Sequence, residues 1–155
     1  MPNRQTHLPV GTTFGVGAAL LQLLRTPAAY RAIELIGAAL GGACGGIAPD
    51  LLEPALSPGH RSVLHSIVVG GAGTMGLVAH VQGRCREMAA ECVSRAEVLP
   101  IGTEVRRAEE HSAMLWYFLA GFALGFALGF AAGYGSHLLL DAATPASIPL
   151  ITSGF

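Results

Sequence analysis

The feature that most constrains this chain is a glycine repeat of period four in the segment 121–141, which reads GFALGFALGFAAGYGSHLLLD. Gly121, Gly125, Gly129 and Gly133 fall on one line of an α-helix, and an aromatic residue follows each of them. A glycine line lets a second backbone approach closely, as it does in helix pairs within lipid. The segment therefore predicts an apolar helix that packs tightly against another helix. The aromatic line predicts packing or lipid contact rather than a cofactor site.

The same helix is predicted to end in two residue types that bind metals. His137 and Asp141 are four residues apart, so one helical turn presents an imidazole and a carboxylate on the same face. Both groups are ligands for Zn²⁺, Mn²⁺ or Fe²⁺. A hydrogen bond that caps the helix end would use the same spacing, so the pair alone leaves both interpretations open.

The composition predicts a membrane protein of a single domain over residues 1–155. The chain is 52% hydrophobic and 12% charged, whereas an ordinary soluble domain has about 25% charged residues. Four apolar runs, the first of them short for a full crossing, cover 9–24, 31–48, 62–82 and 112–140. They predict an all-α polytopic membrane bundle of about four transmembrane helices, with a compact soluble bundle as the alternative. The net charge of −1 gives no reason to expect a nucleic-acid partner.

The segment 83–111 interrupts this apolar pattern. It contains five arginines and six glutamates, together with Pro100 and Gly102 near its middle. This pattern predicts a polar amphipathic insertion between helices 3 and 4, helical and interfacial or cytoplasmic, with a break near Pro100. The three cysteines form no CxxC motif and are expected to be free thiols.

Counting four crossings brings most of the residues that can bind metals to one membrane surface. The N-terminus, the loop after the second run and the C-terminus would share one side. That side would hold His7, Asp50, Glu53, His60, His65, His137 and Asp141. Seven of the nine arginines would lie on the other side, which the positive-inside bias assigns to the cytoplasm. The ligand cluster is therefore expected on the extracytoplasmic side. Glu34, inside the second run, is expected to pair with Arg31 or His80.

Four short motifs occur in an order and spacing that suggest a family. They are Thr6-His7, Pro49-Asp50 after a glycine-rich run, His60-Arg61-x-x-x-His65-Ser66, and Gly133-Tyr134-x-Ser136-His137-x-x-x-Asp141 followed by Thr144-Pro145. Together they resemble the YdjM-like family of membrane-bound metal-dependent hydrolases, described as LexA-binding and inner-membrane-associated. The resemblance implies a multi-pass protein of the bacterial inner (cytoplasmic) membrane. It also implies a divalent metal ion, with Zn²⁺ expected before Mn²⁺, Fe²⁺ or Mg²⁺.

The resemblance assigns roles to the shared residues. The expected metal ligands are His7, Asp50, His65, His137 and Asp141. The expected catalytic residues are His60, as a further ligand or an acid or base, Arg61, as a binder of a substrate phosphate or carboxylate, and Glu53. Glu53 is assigned because Leu52 stands where the family often has a second aspartate. As alternatives, His60 and Arg61 would bind lipid headgroups, and Asp50 would simply end a helix.

Three functions remain open from the sequence. The first is a membrane-embedded hydrolase of an ester or phosphoester in a lipid or membrane-near substrate, in which a metal-activated water attacks. The second is a non-enzymatic membrane assembly module, a homo-oligomer formed through the glycine-lined helices, with a structural metal or none. The third is an ion-handling protein with a His and Asp relay, for which no inverted repeat is evident. The lipid bilayer is an expected partner in all three.

Overall fold

The structure is a computed structural model that describes residues 4–52 and 67–142. The described residues form four α-helices and contain no strand. They are α1 (Arg4–Gln22), α2 (Ala28–Leu52), α3 (Ile67–Glu97) and α4 (Glu104–Ala142). A short 3₁₀ turn, Leu23–Arg25, leads from α1 into α2. The all-helical prediction is confirmed.

The glycine-rich helix α4 is the centre of the bundle, because it packs against α1, α2 and α3. Its glycine line faces α2 of the same chain. A Cβ atom at Gly125, Gly129 or Gly133 would lie within 3.0 Å of an α2 carbonyl oxygen, closer than Cβ atoms are found in proteins. Those oxygens belong, in the same order, to Glu34, Ala38 and Gly42. The two helices therefore run parallel in backbone contact, as the glycine repeat predicts.

Small residues on α2 complete this interface. Gly37, Gly41 and Gly45 lie against the α4 backbone at Phe122, Phe126 and Phe130. Successive rings of the aromatic line stack along α4 with centroids 6.1–6.3 Å apart. Gly121 differs from the other glycines of its line, because the nearest atom to its Cβ position is the Ile33 side chain at 3.3 Å. The backbone contact made by the glycine line itself thus begins at Gly125, one turn after the repeat begins.

Helix α1 joins the same contact in the opposite direction. A Cβ at Gly15 would lie 2.5 Å from the Ala38 carbonyl oxygen, 2.9 Å from the Gly42 Cα and 3.1 Å from the Gly129 Cα. One turn earlier, Gly11 lies against Gly42 and Gly46. Three backbones therefore meet along one line of small residues, and a side chain at any of these glycines would not fit.

Two helices among the described residues are long and apolar enough to cross a membrane. They are Ala28–Leu51 of α2 and Glu104–Ala142 of α4. Only 44% and 28% of the residues in their most apolar stretches are buried, whereas the core helix of a soluble protein would be mostly buried. Large apolar side chains such as Leu40, Leu115 and Leu119 are exposed instead, which suits contact with lipid. The prediction of four crossings is supported for these two helices and stays a prediction for the others.

The segment 83–111 consists of the end of α3, a turn and the start of α4. The turn contains Gly102, whose φ of 85° lies in the left-handed region that favours glycine. Thr103 then caps α4, because its Oγ1 accepts a hydrogen bond from the Arg106 amide at 3.3 Å. Across the hairpin, Arg95 Nε donates to Glu109 Oε1 at 3.0 Å, and this bond raises the pKa of Arg95. The polar segment is thus a hairpin that extends two helices of the bundle.

Candidate metal centre

The lines of small residues lead directly into the residues that can bind a metal. On α4 the four-residue spacing continues from Gly133 to His137 and then to Asp141. On α2 the residue after Gly46 at this spacing is Asp50, and on α1 the residue before Gly11 is His7. Because the three helices are held in backbone contact, these side chains meet at one end of the bundle.

A hydrogen bond to the backbone orients His137. Its Nδ1 lies 2.8 Å from the carbonyl oxygen of Gly46. A carbonyl oxygen only accepts, so Nδ1 carries a proton, and in the neutral ring Nε2 then keeps the lone pair. The close packing of α2 on α4 provides this contact. Gly133 lies against Gly42, so one turn later His137 lies beside Gly46. A backbone carbonyl bound to one ring nitrogen is the usual way to fix a metal-binding histidine.

Two carboxylates and a second imidazole surround His137 Nε2. Asp141 Oδ2 lies 3.5 Å from it and Asp50 Oδ1 lies 3.6 Å from it. His7 Nε2 lies 3.8 Å from Asp141 Oδ1, and the His7 and His137 rings stack with centroids 4.0 Å apart. Ligand atoms on one tetrahedral zinc ion lie about 3.3 Å apart, as Zn–N and Zn–O bonds near 2.0–2.1 Å require. The observed separations approach that spacing.

The cluster meets the geometric requirement for a metal site. One ligand atom each from His7, Asp50 and His137 lies within 4.8 Å of the other two. The side chains of His7, His137 and Asp141 are at most 4% exposed, whereas that of Asp50 is 31% exposed. Three of the four side chains are therefore buried, and that of Asp50 is partly exposed.

The structure brings four of the five predicted ligands together. These are His7, Asp50, His137 and Asp141. The fifth, His65, and the predicted catalytic residues Glu53, His60 and Arg61 lie outside the described residues. The metal-binding role of all five stays a prediction. His80 and His111 are exposed, and His111 lies at the hairpin end of α4, far along the helix from His137.

Sequence reasoning missed the role of Gly46. Its carbonyl oxygen orients His137, and its lack of a side chain admits the His7 backbone, whose oxygen would lie 2.6 Å from a Cβ. The available signal was the common spacing of four in Gly42, Gly46 and Asp50. Ser136 is also buried, but its hydroxyl donates to the Gly133 carbonyl at 2.7 Å, so its role is structural.

The expected ion pair of Glu34 is wrong. Glu34 was predicted to pair with Arg31 or His80, but its Oε2 accepts a hydrogen bond from Thr26 Oγ1 at 2.6 Å. Arg31 turns its Nε to the Thr26 carbonyl at 3.0 Å, and His80 is exposed. Glu34 bonds to the Thr26 hydroxyl rather than to Arg31 or His80, because the turn before α2 places Thr26 beside the buried carboxylate.

Comparison with known proteins agrees with the motifs. No curated protein and no solved structure matches the chain. The model of the YdjM inner membrane protein family matches residues 1–152, nearly the whole sequence. That match includes all the residues of the His and Asp cluster. The chain therefore belongs to the YdjM inner membrane protein family.

Proposed function

We propose that this inner-membrane-family protein is a metal-dependent hydrolase of an ester or phosphoester in a lipid or other membrane-near substrate. The observation that supports it best is the meeting of His7, Asp50 and His137 within 4.8 Å. A hydrogen bond that only caps a helix end would not need His137 to be oriented by Gly46 and also to lie beside the buried Asp141. A substrate would reach the cluster at Asp50, whose side chain is partly exposed.

The donor set fits a divalent cation. Two carboxylates, those of Asp50 and Asp141, stand beside two imidazoles in the cluster. Nitrogen and oxygen ligands of this kind suit Zn²⁺ first, and Mn²⁺, Fe²⁺ or Mg²⁺ after it.

The chain's own residues would divide the work by position. His137 and His7 hold fixed, buried positions, and Asp141 lies between their Nε2 atoms. Asp50, the partly exposed member of the cluster, would complete the donor set. A divalent ion bound there would acidify a bound water and polarise the substrate oxygen.

Further roles are proposed from the sequence alone. His65 would complete the ligand set, and His60 would act as an acid or base. Arg61 would bind the phosphate or carboxylate of the substrate, because its guanidinium forms two parallel hydrogen bonds to such groups. Glu53 would replace the second aspartate of the family. All four residues follow Asp50 in the part of the chain outside the described residues.

Metal analysis combined with a hydrolysis assay tests this function. The purified protein, in mixed micelles, is assayed on a panel of phosphoesters and carboxylic esters that includes phospholipids. His137→Ala is expected to lower the metal affinity by at least about 100-fold. Metal content and hydrolytic activity should therefore fall together. His80→Ala is the matched control, because His80 is exposed and outside the cluster. A metal-free wild type that hydrolyses no member of the panel would contradict the proposal.

The orientation has a separate test. We propose that the cluster faces away from the cytoplasm, because Arg84, Arg86, Arg95, Arg106 and Arg107 lie at the hairpin end of the bundle. In the variant I101C the new thiol stands at the exposed hairpin turn. A membrane-impermeant maleimide should label it only in opened cells, and labelling of intact spheroplasts would reverse the orientation. The wild-type chain supplies the background, to which the exposed Cys44 contributes, whereas Cys85 and Cys92 are buried.

The alternative assembly module has less support. The glycines expected to mediate oligomers, Gly125 and Gly129, face α2 of the same chain. A homo-oligomer stays a prediction, and it would need another surface. A closed four-ligand metal site with no position for water would favour this structural function over catalysis.

A further inference from the structure

A second polar site lies at the opposite end of the bundle, around Glu34. This side chain is 1% exposed, within the apolar part of α2. Its Oε2 accepts the hydrogen bond from Thr26, but among the described residues its Oε1 is buried without a hydrogen-bond partner. A buried carboxylate oxygen with no donor is strongly unfavourable. A ligand could therefore supply the hydrogen-bond donor that Glu34 Oε1 lacks among the described residues.

Glu34 lines a cavity of about 340 Å³. The cavity lies between the turn that precedes α2, the middle of α3 and the part of α4 near Tyr117. Its polar wall includes Thr26, Gln82 and Arg86 together with Glu34. The cavity therefore contains one buried carboxylate and one guanidinium, a pair of opposite charges on different helices.

The cavity lies at the boundary between polar and apolar chain. On α4 the charged residues of 104–110 end shortly before Tyr117, and the apolar run follows it. Tyr30 and Tyr117, whose ring centroids are 6.1 Å apart, form part of the wall, and tyrosines are enriched at membrane interfaces. Leu124 supplies an apolar wall one to two turns further along. The cavity therefore lies at a depth where the polar headgroups of a bilayer would meet its apolar region.

We propose that this cavity binds the headgroup of an aminophospholipid, with Glu34 holding the primary ammonium and Arg86 the phosphate. An ammonium offers three donors, one of which satisfies Oε1. The two tyrosine rings add favourable contact with a cation. A guanidinium suits a phosphate diester, and an ethanolamine headgroup carries both charges close together. This site is separate from the proposed hydrolase centre and does not depend on it.

The chemistry predicts selectivity among phospholipids. A glycerol headgroup lacks the cation, and a choline headgroup lacks N–H donors, so neither satisfies Glu34 Oε1. Because the ethanolamine headgroup supplies those donors, it is expected to be retained at least about tenfold more strongly, which corresponds to about 1.4 kcal/mol.

The test is native mass spectrometry of the full chain released from micelles with equal amounts of ethanolamine, glycerol and choline phospholipids. Wild type is expected to retain the ethanolamine lipid preferentially, and Glu34→Gln to lose that preference by about tenfold. Arg86→Gln should lower retention of the ethanolamine lipid as well, and it tests the site even if Glu34→Gln does not fold. Arg84→Gln is the control, because Arg84 is exposed and paired with Glu87 on the same helix.

Two results would overturn the proposal. One is equal retention of the three lipids by wild type, or an unchanged preference in both Glu34→Gln and Arg86→Gln. The other is saturation by soluble phosphoethanolamine that the lipid does not displace, which would assign the cavity to a free metabolite. Loss of metal or hydrolysis in His137→Ala leaves these measurements unaffected, so the two proposals fail independently.

Discussion

The two ends of the line of small residues hold polar groups in different numbers. At one end His7, His137 and Asp141 meet from two helices, and Asp50 joins them from a third. At the other end Glu34 accepts a hydrogen bond from one hydroxyl, and its second oxygen is buried without a partner in the part of the chain that the structure describes. The first arrangement suits a doubly charged ion held by several ligands. The second suits a singly charged group that brings its own hydrogen-bond donors.

The comparison also shows what the tight interior contributes. Between the two ends, backbone contact leaves no space for a side chain at the glycines, so the helices are held in one register over several turns. The same register places Glu34 opposite Gly125 and Gly46 opposite His137. A sequence with this spacing can therefore fix polar groups about 18 Å apart along α2, at 1.5 Å per residue.

The largest effect is expected from a single methyl group in the interior. In Gly129→Ala the new Cβ would overlap the Ala38 carbonyl, so the helices must separate. Unfolding free energy should fall by about 3 kcal/mol or more, and both ends should lose their ligands. Thermal unfolding, metal content and lipid retention measure the three effects. Gly135→Ala is the matched control, because nothing lies within 4 Å of its Cβ position and alanine favours the helix. Equal stability of the two variants would contradict the interior contact.

A second variant should separate the two ends. Asp141→Asn keeps the shape of a 3% exposed side chain and removes its charge. Metal affinity is expected to fall about 10- to 100-fold, while the preference for the ethanolamine lipid is unchanged. Competition with a metal chelator measures the first quantity and native mass spectrometry the second. Parallel loss of both properties would show that the ends are not independent.

A smaller effect is expected from Ser136→Ala. The variant removes the hydrogen bond to the Gly133 carbonyl, worth about 1 kcal/mol of stability. Metal content and hydrolysis should be close to those of wild type, because the hydroxyl acts on the backbone. A loss of hydrolysis with normal metal content would instead make Ser136 part of the reaction.

The smallest effect is expected from the hairpin. Arg95→Gln removes an exposed ion pair with Glu109, and such pairs contribute little in water. The melting temperature and the properties of both ends should be unchanged within error. A clear loss of metal or lipid would show that the hairpin is coupled to the bundle.

Local patterns predicted much of this molecule. The helical spacing of Gly125, Gly129 and Gly133 predicted the close contact, and the spacing of His137 and Asp141 predicted a shared face. Both features depend only on helix periodicity, which a sequence displays directly. The wrong partner for Glu34 and the unnoticed role of Gly46 depend on which turn of one helix lies beside which turn of another. That register comes from packing between segments far apart in the chain.

The number of crossings shows a similar limit. Helix α1 has 19 residues with Pro9 inside, about 28 Å in length, and it does not have the hydropathy of a membrane span. Yet it supplies His7 through backbone contact at Gly11. Hydropathy indicates which helices contact lipid. It does not predict the position of α1, because α1 is held in place by its contact with another helix.

X-ray absorption at the zinc edge of the zinc-loaded protein tests the central claim most directly. Three helices that bring His7, Asp50 and His137 together predict stoichiometric zinc with nitrogen and oxygen ligands near 2.0–2.1 Å and scattering from two imidazoles. His7→Ala should reduce this to one imidazole, and no sulfur should appear. A sulfur shell near 2.3 Å, a spectrum without imidazole or a failure to bind zinc, manganese or iron would contradict the account.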